Sequence, residues 1–257
     1  MAKQPIDLDK KQAAKDVFGR KGYKLDLRFL INDGKVHPLA ILVPGGGYQL
    51  VCSFMEGTPI ARKLNEKGIS AVIVYYRTGK KAKCPGPIDD LARGIKEIFS
   101  KTEEYHLDIR NYSIWGASAG GHLTAEFGSD NLGYQKYGLK KPGALILSYP
   151  VITMDKKYTH MGSHDNFVGK DASKEEEDMC SVEKHVGKDY PRTFVWCGTA
   201  DELVPNYNSI ELDKTLSEQG IDHIFRNYEG VAHGVGPGSD TAAKGWIDEA
   251  VEFWLKK

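Results

Sequence analysis

Several things are missing from this chain, and each absence removes a class of function. Lys+Arg and Asp+Glu each total 35, so there is no charge surplus of either sign. A nucleic-acid or anionic-lipid partner would call for a basic excess, so neither is expected. Lys80, Lys81 and Lys83 cluster locally, which reads as a solvated loop. No window approaches the ~18 consecutive apolar residues of a membrane span. The start, "MAKQPIDLDKKQAAKDVFGRKG", has no apolar h-region and no small-residue cleavage site, so the chain as written is expected to be cytoplasmic.

Cysteine is scarce: Cys52, Cys84, Cys180 and Cys197 are scattered with no CxxC pair, as for reduced thiols. Metal-ligand spacing is missing too. "HMGSH" sets His160 and His164 four apart, but without the HExxH glutamate and among Gly and Ser, so it reads as a surface loop. No metal and no cofactor is expected.

What is present alternates between two periods. "YKLDLRFLI" (23–31) alternates like a strand, and "HPLAILVPGGGY" is an apolar strand running into glycines. "TPIARKLNEKG" reads as a helix capped by Thr58 and ended by Gly68, and "ISAVIVYYR" is the strongest β run. "PIDDLARGIKEIFSKTEEY" places Ile88, Leu91, Ile95 and Ile98 at helical spacing. Strand 112–115, a helix from about Ala119, strands "ALILSYPV" and "TFVWCG", helix 206–219, strand "HIFRNY" and helix 241–255 follow.

Several strands are unbroken apolar runs, which implies burial on both faces in a mostly parallel sheet flanked by helices. Residues 153–190 break the rhythm. They are polar and mixed, with a Ser173–Glu176 capping box, and read as a small cap inserted in a single α/β domain spanning 1–257.

"SIWGASAGGH" (113–122) is where the chemistry concentrates. A dinucleotide fingerprint needs glycine where Ser118 stands, and a P-loop needs G-K-[ST]; both readings fail. G-x-S-x-G does fit, with Gly116, Ser118 and Gly120 behind a strand and before a helix, the context of a nucleophile elbow. Partners follow in the order Ser…Asp…His. Asp201 lies after "TFVWCG" and His233 after the last strand, both at carboxyl ends of strands. His233 would take the Ser118 proton, and Asp201 would fix the imidazole tautomer. His122, His185, His223 and Glu202 compete less well, from helix, cap, strand start and an off-edge position. "PGGGY" (44–48) after an early strand suits an oxyanion hole, with N–H groups of Gly46 and Gly47 joining that of Ala119.

On these residues the chain resembles the α/β-hydrolase superfamily, and more narrowly the bacterial acetyl esterases and acetylxylan-esterase-like proteins related to the hormone-sensitive-lipase group. "PGGGY", "PIDDLARGI", "WGASAGGHL", "SVEKHVGKDYPRTFVWCGTADELVP" and "GVAHGVG" carry the resemblance from about residue 38 onward. Pro44 stands where lipase relatives have the histidine of HGGG, and the cap is short, which argues against long-chain lipid esters. The resemblance implies a serine esterase removing small acyl groups, above all acetyl, from sugars or xylo-oligosaccharides. General short-chain carboxylesterase and prolyl-oligopeptidase-type peptidase or acylaminoacyl hydrolase are the enzymatic alternatives. A binding protein on a hydrolase scaffold is disfavoured because all three triad candidates are present. Tyr48, Cys52, Tyr149 and Val204 are expected at the substrate pocket, although Tyr149 fits the core equally well. Oligomeric state is not legible.

Overall fold

The structure, a computed structural model, describes residues 19–256. The polar start on which the cytoplasmic expectation rested lies mostly outside the described residues. Among the described residues, seven strands form one sheet: β1 (Lys24–Asp26), β2 (His37–Val43), β3 (Ser70–Tyr75), β4 (Leu107–Ala117), β5 (Ala144–Ser148), β6 (Thr193–Gly198) and β7 (His223–Tyr228). Their spatial order is β1-β3-β2-β4-β5-β6-β7, with β1 antiparallel to β3 and the other pairs parallel.

β3, β5 and β6 are buried along their whole length, as unbroken apolar runs require when helices cover both faces. The helices are α1 (Ser53–Glu56), α2 (Thr58–Glu66), α3 (Gly86–Ser100), α4 (Ser118–Glu126), α5 (Met161–Phe167), α6 (Lys174–Met179), α7 (Tyr207–Gln219) and α8 (Trp246–Leu255). Among the described residues no helix is long and apolar enough to cross a membrane.

From β2 the chain crosses to β3 on one side, then returns through α3 to β4 on the other. The strand order therefore reverses between β2 and β4, and the crevice at their carboxyl ends is where open α/β sheets place their sites. The return is fixed where β3 ends. Asp90, fully buried in α3, accepts the Arg77 backbone N–H (2.9 Å) and both Nε (2.8 Å) and Nη2 (2.6 Å) of its guanidinium. Beneath the sheet's far half, Trp115, Trp196, Trp246 and Trp254 pack together, with Trp115 and Trp246 ring centroids 5.8 Å apart and Trp196 and Trp246 5.3 Å apart.

Three local expectations are corrected. The strand read over 23–31 stops at Asp26, because its carboxylate accepts the Arg28 backbone N–H (3.1 Å) and folds the chain into a turn. Thr58 begins α2 rather than capping it; Gly57 is the flanking residue. The "HMGSH" stretch is no surface loop. His160 caps α5 through its side chain, and His164 is fully buried, with Nε2 3.1 Å from Glu177 Oε1. The Ser173–Glu176 capping box does form, at the start of α6.

Candidate active site

β4 runs straight into α4 at Ser118, whose φ of 53° lies in the left-handed region that a serine adopts only when its surroundings force it. The forcing is steric. A Cβ on Gly120 would lie 2.0 Å from the Val43 carbonyl oxygen and 2.5 Å from that of Pro44, so only glycine lets the start of α4 press against the end of β2. At Gly121 a Cβ would meet Pro150 Cβ at 2.7 Å, so close packing is that glycine's function. The consequence is a serine lifted onto the crevice at a helix N-terminus, where backbone N–H groups and a partial positive charge gather.

Three groups from distant parts of the chain meet there. His233 Nε2 is 2.9 Å from Ser118 Oγ, and His233 Nδ1 is 2.6 Å from Asp201 Oδ2. Asp201 is held by its other oxygen, which accepts the N–H groups of Leu203 and Val204 at 2.9 Å each. An acceptor-only carboxylate at Nδ1 fixes that nitrogen as the protonated one, leaving the Nε2 lone pair to face the serine hydroxyl. His233 also lies against the ring of Tyr149, centroids 4.7 Å apart.

The glycine loop after β2 faces this serine. A Cβ on Gly45 would come 2.7 Å from Ser118 Cβ, so that position must be bare. Gly46, Gly47 and Tyr48 then follow with φ of 121°, 60° and 59°. None of the N–H groups of Gly46, Gly47 and Ala119 is engaged in a turn, loop or cap bond among the described residues.

Two contacts hold the loop, the first buried and the second half-buried. Glu56 Oε2 accepts the Gly45 N–H at 2.8 Å, and Asn166 Nδ2 donates to the Gly47 carbonyl at 2.9 Å. Burial pushes the Glu56 carboxyl above the usual carboxylate range, against the opposing pull of Gly45, His233 and Tyr149. The Tyr149 hydroxyl in turn accepts the Gly236 N–H at 3.3 Å. Gly45 and the loop that carries His233 are thus joined through one buried carboxyl and one phenol.

A cavity of about 520 Å³ opens on Ser118 and His233, walled by Leu50, Met55, Leu203 and Val204 and by His160 and Asn166 from 153–190. Cys52 and Val204 also line it. Burial pushes the Cys52 thiol up to about 11, so it stays protonated near neutral pH and does not compete as a nucleophile.

The two tyrosines expected at the pocket are corrections. Tyr48 is fully buried behind the loop, its hydroxyl 2.7 Å from His122 Nδ1 and its ring stacked on Phe167 at 4.6 Å. Tyr149 is buried beneath His233. His122 Nε2 donates to the Cys180 carbonyl (2.9 Å), so Nδ1 is the acceptor and Tyr48 the donor. His185 and His223 lie away from the crevice, bonded to the Asp178 carbonyl and to Asp213. Sequence reading missed Glu56, His160 and Asn166. No spacing marked Glu56 or Asn166, and His160 was hidden by the Gly/Ser-rich look of its stretch.

A sheet with this strand reversal, and a serine at the β4–α4 turn facing histidine and aspartate, defines an α/β-hydrolase. Solved structures agree. The acetyl ester-xyloside bifunctional hydrolase of Caldicellulosiruptor lactoaceticus superposes with a TM-score of 0.78 at 28% identity, covering 88% of this chain and 87% of that one. A sugar hydrolase of Lactococcus lactis has the same fold at 24% identity and a TM-score of 0.77, covering 93% of this chain and 96% of that one.

More narrowly, the BD-FAE family model matches residues 25–216, and the chain belongs to that family. Curated relatives include endo-1,4-beta-xylanase B of Butyrivibrio fibrisolvens, 30% identical over 85% of this chain and 35% of its own length. The acetylxylan esterase of Xylanibacter ruminicola is 27% identical over 88% of this chain and 49% of its own. The chain thus spans half or less of the length of these two relatives.

Proposed function

We propose that this chain is a serine carboxylic-ester hydrolase that removes small acyl groups, acetyl foremost, from acetylated sugars or xylo-oligosaccharides. The observation that carries the reading is the continuous relay Ser118–His233–Asp201, with contacts of 2.9 and 2.6 Å, opening onto the cavity. Ser118 Oγ attacks the ester carbonyl carbon while His233 Nε2 takes its proton. The carbonyl electrons move to oxygen, and that oxyanion is met by the N–H groups of Gly46, Gly47 and Ala119. Collapse breaks the bond to the alcohol oxygen, which leaves with the proton from His233. Water, deprotonated by the same nitrogen, then attacks the acyl-enzyme and frees the acid and Ser118.

Asp201 stabilises the imidazolium at both stages and keeps its tautomer. The polarity of the relatives' substrates supports a sugar-borne acyl group: one relative is an acetylxylan esterase and another an acetyl ester-xyloside hydrolase. The largely apolar wall of Leu50, Met55, Leu203 and Val204 favours a second reading, a general short-chain carboxylesterase.

Ser118→Ala should reduce acetate release from p-nitrophenyl acetate to the level left by the oxyanion donors alone, ~10³–10⁴-fold over water. Undiminished turnover would refute the mechanism. A series of acetyl, butyryl and hexanoyl esters separates the two substrate readings, with preference for butyryl or longer favouring the second.

A further inference from the structure

Among the polar side chains that line the cavity, His160 has a ring nitrogen, Nε2, with no hydrogen-bond partner among the described residues. Ser118 and His233 bond each other, Glu56 takes the Gly45 N–H, and Asn166 donates to Gly47. Gln49 is exposed at the rim and the Cys52 thiol is a weak donor. His160 is different. Its Nδ1 accepts the backbone N–H of Ser163 at 3.2 Å and lies 2.9 Å from the Ser163 hydroxyl. A backbone N–H can only donate, so Nδ1 carries the lone pair and the proton of the neutral ring sits on Nε2. Burial, and then the nearby His233, lower the His160 pKa, which keeps the ring neutral.

The ring is also held in place. A Cβ on Gly47 would approach its Cε1 at 3.3 Å, and one on Gly162 would approach the same atom at 3.0 Å, so the imidazole is seated between two bare α-carbons. Met161 and Gly162 beside it are exposed, which puts His160 towards the mouth of the cavity, with buried Ser118 and Glu56 deeper inside. An acetyl group offers a methyl and a carbonyl oxygen, and that oxygen goes to the glycine loop. Any further acceptor a substrate brings must lie on the alcohol that leaves by the mouth.

We propose that His160 is a specificity-determining residue, donating from Nε2–H to a hydroxyl oxygen on the alcohol part of the ester, on the carbon next to the one that carries the acyl group. A vicinal diol monoester, as in a partly acylated sugar ring, is the chemistry that fits. The inference rests on the serine-esterase reading above and adds the recognition of the alcohol to it.

The test sets two esters in competition in one vessel: cyclohexyl acetate and trans-2-hydroxycyclohexyl acetate, which differ only in the vicinal hydroxyl. Their ratio of kcat/KM is independent of how much of a variant is folded. His160→Phe, which keeps a ring without a donor, should lower the preference for the hydroxy ester by roughly three- to tenfold, the worth of one neutral hydrogen bond. His160→Gln, which returns an N–H near the place of Nε2, should recover part of it. An unchanged ratio in His160→Phe, or a Gln variant no better than Phe, would overturn the proposal. Equal losses on both esters would overturn it as well, because the ring would then act on the ester group common to both. If the unaltered chain cleaves neither ester, the esterase reading itself falls; Ser118-dependent cleavage with a ratio blind to His160 removes only this inference.

Discussion

Buried histidines make stability depend on pH, and His122 does so in a direction that can be worked out. Its ring is fully buried in α4 between the Tyr48 hydroxyl and the Cys180 carbonyl, and burial lowers its pKa from 6.5 to about 4. In the unfolded chain the ring protonates near 6.5, whereas in the folded chain it stays neutral until about 4. Between those values the unfolded state binds more protons, so this residue's contribution to stability rises with pH across the window. The contribution is whole above pH 6.5 and is lost progressively as pH falls towards 4. A shift of that size is worth about 3 kcal/mol.

Urea denaturation at pH 7.5 and pH 4 measures the loss in the unaltered chain and in His122→Gln. The glutamine keeps a donor for the Cys180 carbonyl and has no charge to acquire. Glu126, four residues on and also fully buried, has its pKa raised by burial and so contributes the opposite slope as pH rises above the ordinary carboxylate range. The comparison with His122→Gln isolates the histidine. The unaltered chain should lose about 2–3 kcal/mol more than the variant between the two pH values. Equal losses would show that His122 titrates normally and that the Tyr48–His122–Cys180 chain does not hold the ring neutral.

Two further outcomes follow from contacts already described. Gly120→Ala pushes a methyl onto the backbone carbonyls of Val43 and Pro44 at the end of β2, and should destabilise by at least the ~1–3 kcal/mol typical of overpacking. Gly68→Ala, where φ is 74° and nothing lies within 4 Å, should cost only ~1–2 kcal/mol of left-handed strain. Equal thermal shifts in the two variants would contradict the packing argument. Glu56→Gln keeps the shape of the buried group but weakens its hold on the Gly45 N–H; kcat on p-nitrophenyl acetate should fall about tenfold with little change in KM, the loss of a hydrogen bond to a charged acceptor. A rise in KM at constant kcat would mean that Glu56 serves binding and not the placement of the loop.

How legible all this was in the sequence depends on the range of the forces involved. "ISAVIVYYR" could only be a doubly buried strand, and β3 is buried throughout because apolar content and branching act locally. The turn at Ser118 was likewise readable, because the glycines it needs lie within two residues of the serine. Ser118, Asp201 and His233 come together because each sits at the carboxyl end of its own strand, a placement the alternation of elements already implied.

The direction of a side chain in a loop is a different matter. Tyr48 turns away from the cavity because of a bond to His122, a residue 74 positions distant, and Tyr149 lies under His233 for similarly non-local reasons. β1 stopped early for the opposite reason, a side-chain bond spanning two residues that hydrophobic alternation does not register. Glu56 sits in an apolar stretch with nothing around it to announce that its carboxylate would be drawn under Gly45.

The division of labour across the crevice has a consequence for how such a protein can change. Ser118, Asp201 and His233 arrive on three separate loops of the sheet, whereas His160, Gly162 and Asn166 all come from the single stretch between β5 and β6. On the proposed reading, the groups that react and the groups that recognise the alcohol therefore lie on different parts of the chain, so a change in that stretch need not move Ser118, Asp201 or His233. Asn166 sets the boundary of that freedom, because its amide grips the Gly47 carbonyl. Any replacement segment must bring its own donor to that one atom, or take over the pocket at the expense of the loop beneath it.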